Sequence, residues 1–185
     1  MRMPECSAFR RASAAQVPQD FPRRGVDSVW RSVCPQQVAL DVDARNKREA
    51  LAAIASLCAE AHDLPAAPLL RALWRREQAG STALGHGVAI PHARIDGIEH
   101  PLTLFVRTRT PVAFGAADGQ PVSHLYAILV PMHGECEAHL ELLARIAEMF
   151  SEPELRVRVT TASTPAVAHS IFADWVVHHK NDPRR

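Results

Sequence analysis

The chain has 185 residues, enough for one α/β domain and too few for two ordinary ones. A hydrophobic fraction of 47% supports a real core, and a formal net charge of +1 removes any electrostatic ground for expecting nucleic acid or an anionic membrane surface as partner. Cys6, Cys34, Cys58 and Cys136 form no CxxC pair and no apolar run approaches a membrane span, so reduced thiols, a cytoplasmic setting and no membrane span are expected.

Residues 1–36 differ from the rest. "MRMPECSAFRRASAAQVPQDFPRRG" mixes Arg, Pro, Ser and Ala with few large apolar groups, and it lacks the continuous apolar stretch of a signal peptide. Such a segment cannot bury enough surface to offset its ordering entropy. The composition predicts a disordered extension over 1–36 whose deletion leaves folding intact, then a folded domain over 37–178 and a tail over 179–185.

Periodicity starts at Val38. Leu51, Ile54, Cys58 and Ala61 recur at helical spacing and predict a helix over 44–62. Leu69, Leu70, Leu73 and Trp74 mark a second helix that runs into "RREQAGST", with Gly80 as its stop. Residues 87–91 read as a strand that Pro91 ends. "PLTLFVRT" at 101–108 alternates like a strand, and "LYAILV" at 125–130 is an unbroken apolar run, as a central strand covered on both faces requires. A helix over 135–150 carries Leu140, Leu143, Ile146, Ala147 and Phe150. Ser151 with Glu154 reads as a capping box for the next short helix. Thr164-Pro165 starts the last helix, whose stripe is Val167, Ile171 and Trp175. Helices precede, interrupt and follow the strands, so the expected class is α/β, a central mixed sheet with helices on both faces.

One histidine stands out. In "GHGVAIPHARI" an apolar strand ends in Pro91 and is followed at once by His92, which should lie at a sheet edge or in the loop beyond it, where α/β sheets bind ligands. A largely neutral imidazole is a nucleophile that needs no separate base. It can accept a phosphoryl group and pass it on, given positive or donor groups around the equatorial oxygens. Candidates for that support are Arg76, Arg94, the hydroxyls of Ser81 and Thr82, and His139 near a helix start.

The stretch from Glu77 through "GSTALGHGVAIPHA" to Ala93, together with "HLELLARIAEMF", resembles the IIA domains of the fructose/mannitol class of the bacterial phosphotransferase system, and most of all its stand-alone nitrogen-regulatory members. The resemblance spans about 38–175 and implies the fold of those domains. It makes His92 the phospho-acceptor, His139 the assisting histidine and Arg76 the phosphate-stabilising arginine. It implies an HPr-like phosphohistidine carrier as donor, and target proteins, potassium-transport or sensor-kinase systems among them, that respond to phosphorylation state. No cofactor and no metal are implied. Ala93 departs from the family's usual Gly, and the N-terminal extension is not a family feature.

Other readings fit less well. His133, Glu135, Cys136 and His139 are zinc-ligand types, but no second cluster completes a tetrahedral set. No G-x-S-x-G elbow supports a triad hydrolase. The alternatives that stay open are a sugar-transport IIA component and a binding-only regulator that has lost phosphotransfer.

Overall fold

The computed structural model describes residues 15–16, 30, 32–133 and 136–180. Most of the expected extension, residues 181–185 of the expected tail, Cys6 and Glu135 lie outside the described residues.

The described strands form one mixed sheet: β1 (Ala15–Gln16), β2 (Gln37–Val42), β3 (Ala83–Gly85), β4 (Val88–Ala89), β5 (His92–Ile95), β6 (Leu102–Val112) and β7 (Val122–Pro131). Its order is β1-β2-β6-β7-β4-β3, with β5 also paired to β7. β2 runs parallel to β6, and β4 and β5 run parallel to β7, whereas β6 and β7 are antiparallel. The helices from residue 47 onward are, among the described residues, α1 (Lys47–His62), α2 (Ala66–Gln78), α3 (Cys136–Ser151), α4 (Pro153–Thr161) and α5 (Pro165–Lys180).

Strand alternation divides the core in two. Phe105, Tyr126, Ile128 and Val130 face α3, α4 and α5, where Phe150, Val159 and Phe172 meet them. Leu104, Val106, Leu125, Ala127 and Leu129 face α1 and α2, against Leu51, Ile54, Leu69 and Leu73. The α/β class with helices on both faces is therefore as the sequence predicts. β2 departs from strict alternation. Leu40 lies in the first core and Val42 in the second, because the register shifts between Ala39 and Val42, where Asp41 takes φ 57°.

Local chemistry sets the ends of several elements. Asn46 caps α1 by accepting the Glu49 N–H at 2.9 Å, so the helix begins at Lys47 rather than residue 44. The Ser151–Glu154 capping box does not form. Ser151 is the last residue of α3 and its hydroxyl donates back to the Glu148 carbonyl at 2.6 Å, while Pro153 opens α4. In α5 the buried stripe is Ala168, Ile171, Phe172 and Trp175; Val167 is exposed, because it lies a turn too early on the outward side.

The expected boundary at residue 36 falls inside the first core. Trp30, Val33 and Cys34 are buried there with α3 and α5. The buried Tyr126 hydroxyl donates to the Val33 carbonyl at 2.8 Å, tying this segment to the middle of the sheet.

Candidate functional site

Pro91 interrupts pairing but does not end it. β4 pairs with β7 as Val88↔His124 and Ala89↔Leu125, and β5 resumes in the same register as His92↔Ile128. Between them Ile90 turns away, and its N–H donates to the Thr82 carbonyl at 2.9 Å. The Pro91 carbonyl still accepts the Ile128 N–H at 2.9 Å. Of the two places expected for His92, the loop beyond the strand is ruled out: proline lacks only a donor, so the ladder loses one rung and His92 opens β5, which among the described strands pairs with β7 alone.

The neighbours of the His92 ring define its tautomer. Nδ1 lies 2.8 Å from the Ile90 carbonyl, which can only accept, so Nδ1 carries the proton. The Arg76 Nε–H, which can only donate, reaches Nε2 at 2.9 Å, so Nε2 presents a lone pair. Arg76 comes from the last turn of α2 and is held by a second bond, from a terminal N–H to the Gly80 carbonyl at 2.9 Å. His139, in the first turn of α3, places its ring centroid 5.5 Å from that of His92. These three side chains, far apart in sequence, are brought together.

Both rings are biased toward the neutral form. Burial, first of all, pushes His92 below the usual histidine value; the bond to Ile90 opposes this, Arg76 adds to it and Glu77 opposes it. His139 is held down at about 4, chiefly by burial, then by His92, Arg94 and Arg76. Its Nδ1 is buried and has no hydrogen-bond partner among the described residues.

An open cavity of about 330 Å³ adjoins this group, lined by Arg76, His92, Ser81, Thr82 and Leu84 and by Leu143, Ala144 and Ala147 of α3. The other sequence candidates have different employment. The Ser81 hydroxyl donates to the Phe114 carbonyl at 2.9 Å. The Thr82 hydroxyl and N–H both donate to Glu77, at 2.6 and 2.9 Å. Ser81 and Thr82 therefore line the cavity while their hydroxyl protons are committed to shaping its wall. Arg94 reaches along the end of β7, and one terminal N–H donates to the Met132 carbonyl at 3.2 Å. Among the described residues no three His, Cys, Asp or Glu side chains gather as a metal site.

Two contributors escaped the sequence reading. The Ile90 carbonyl orients His92, a role invisible in an apolar residue type. Lys47 reaches Glu77 at 2.6 Å across 30 residues, and nothing in the local sequence announces that pairing.

The family model described as "Phosphoenolpyruvate-dependent sugar phosphotransferase system, EIIA 2" matches residues 33–175. The chain is 37% identical to the nitrogen regulatory protein of Pseudomonas aeruginosa over 141 residues, covering 76% of this chain and 91% of that one. It is 34% identical to the nitrogen regulatory protein of Escherichia coli K12 over 134 residues, covering 72% and 82%. Among solved structures it resembles the nitrogen regulatory protein IIA-Ntr from Neisseria meningitidis, at 36% identity and a TM-score of 0.69, over 73% of this chain and 92% of that one.

Proposed function

This chain belongs to the EIIA 2 family of the phosphoenolpyruvate-dependent sugar phosphotransferase system, and from that premise we propose that it is a cytoplasmic phosphocarrier of the nitrogen-regulatory branch. It accepts a phosphoryl group on His92 from an HPr-like phosphohistidine carrier and regulates target proteins according to its phosphorylation state. Similarity to nitrogen regulatory proteins over about three quarters of the chain supports the regulatory branch over sugar transport.

The observation that carries the reading is the pair of contacts on His92. With Nδ1 donating to Ile90 and Arg76 donating to Nε2, the bare nitrogen is Nε2 and it faces a permanent cation. In the transfer, the N–P bond of the carrier breaks, its electron pair stays on the carrier's imidazole, and the Nε2–P bond forms. Nδ1 keeps its proton and its bond to Ile90. The incoming phosphorus takes the place of the Arg76 Nε–H on the lone pair, and the guanidinium donors pass to the equatorial oxygens, where charge is concentrated. His139, neutral and beside His92, donates to the same group from the first turn of α3, where the helix dipole favours an anion. The phosphorylated surface carries about two additional negative charges, which a target matched to the neutral surface does not tolerate.

The test is transfer from a phosphorylated HPr-type carrier followed by mass-spectrometric location of the acid-labile label. Label on His92, absent from His92→Ala, is the expected result. Incorporation at another residue, or none, refutes the assignment.

A further inference from the structure

The Glu77 side chain is 2% exposed. A carboxylate so buried is unfavourable unless charge and donors surround it. Oε1 accepts from Lys47 Nζ at 2.6 Å, and Oε2 accepts both the hydroxyl and the N–H of Thr82. The same Lys47 ammonium lies 4.9 Å from the centroid of the Phe114 ring, and the Phe114 carbonyl accepts from Ser81. Three segments meet at this side chain, the start of α1, the end of α2 and the loop at 80–82, and Lys47 and Ser81 carry the contacts on to Phe114.

That loop leads to the acceptor. Arg76, next to Glu77 in α2, has two anchors, His92 Nε2 and the Gly80 carbonyl, each at 2.9 Å. Gly80 lies two residues from Thr82. If the loop shifts, the Gly80 carbonyl shifts, and the guanidinium loses the geometry with which it meets Nε2. We propose that Glu77 is a positioning residue of the phosphoryl-acceptor site, holding Thr82 and Lys47 so that the Gly80 carbonyl fixes Arg76 over His92. Glu77 touches neither His92 nor the transferred group and acts through Arg76. The inference rests on the reading of His92 as acceptor.

The experiment uses the full chain with Glu77→Gln, Thr82→Val and the double variant. Two readouts are taken: single-turnover transfer from a phosphorylated HPr-type carrier, and the NMR resonance of the Arg76 Nε–H, which a held guanidinium protects from exchange with water. Displacement of a catalytic group by about 1 Å can cost on the order of a hundredfold. The maximum transfer rate is expected to fall about ten- to a hundredfold in each single variant. The half-saturating carrier concentration should hold within about twofold, because docking is untouched. The Arg76 resonance should broaden, and the double variant should be no slower than the slower single one. An unchanged Arg76 resonance in a folded variant, or a loss confined to half-saturation, overturns the proposal. A wild-type chain that takes no label refutes the acceptor reading instead, and the Arg76 resonance, which needs no carrier, still decides the positioning role. Should Glu77→Gln not fold, Thr82→Val, which leaves the Lys47–Glu77 pair in place, decides alone.

Discussion

The Nε–H of Arg76 points into the lone pair of His92 Nε2 across 2.9 Å, so an arginine sixteen residues away in sequence rests on the ring nitrogen proposed as the phosphoryl acceptor. A guanidinium stays protonated at any working pH and offers several donors in one plane. Arg76→Ala is expected to slow phosphoryl acceptance by about 10²–10³-fold, the usual cost of losing one charge-stabilising donor group. Arg76→Lys should recover little, since a point charge cannot hold both Nε2 and the Gly80 carbonyl. Single-turnover labelling measures both, and a rate unchanged in the alanine variant removes Arg76 from the mechanism.

Burial, with Arg76 adding to it, lowers the His92 pKa from 6.5. Protonation at Nε2 removes the attacking lone pair, so acceptance is lost as pH falls. Because the folded ring titrates below its ordinary value, that loss comes at a lower pH than for an unhindered imidazole. The acidic limb of the rate–pH profile should therefore have its midpoint below 6.5 in the wild type and move upward in Arg76→Ala, which removes a positive charge. A limb at or above the ordinary value, or one that Arg76→Ala leaves in place, contradicts this account.

A second histidine links pH to stability. His124 is buried at the start of β7, stacked on Phe105 with centroids 6.0 Å apart, and its Nε2 lies 3.1 Å from the Thr160 hydroxyl. Burial, then Arg107, hold its pKa down at about 4. Between that value and 6.5 the unfolded chain binds more protons than the folded one, so stability is fully present above 6.5 and declines as pH falls toward 4. The His124 contribution to this loss is on the order of 3 kcal/mol. Denaturant melts across that window should show a shallower decline for His124→Phe than for the wild type; parallel curves would mean that His124 is not the responsible group.

Trp30 and Trp175 have ring centroids 6.3 Å apart, and the Arg145 guanidinium lies 5.0 Å above the Trp30 ring. With Val33 and Cys34 buried beside them, a deletion through residue 36 removes core, not only a tail. Thermal unfolding should show deletion of 1–36 to be clearly more destabilising than deletion of 1–29, and Trp30→Ala alone to cost about 3 kcal/mol. Equal midpoints for the two deletions would show that Trp30, Val33 and Cys34 contribute nothing to stability.

The packing of Phe172 gives a measure of the first core. Its ring is fully buried and meets Phe105, Tyr126 and Phe150 edge-on at 4.9 to 6.1 Å. Phe172→Ala should cost about 3–5 kcal/mol in chemical denaturation; a cost under about 1 kcal/mol would mean that this cluster closes over the gap.

Local residue patterns determined much of this protein. Helical spacing in α1, α2 and α3, the alternation of β6 and the apolar run of β7 are each fixed by which side chains need burial, and that need is written residue by residue. The motif around His92 and the histidine of "HLELLARIAEMF" were legible for the same reason, as residue types in a fixed order. What only tertiary structure decided depends on where donors and acceptors end up after packing. Pro91 breaks a rung without ending the strand because β7 keeps the register on both sides. Ser151 bonds backward rather than forward because α3 outcompetes the cap. Glu77 finds Lys47, Arg76 finds His92, and Trp30 finds Trp175 across gaps that no local period spans. A buried charge or a bare ring nitrogen acquires its role from partners that the fold, and not the neighbouring sequence, supplies.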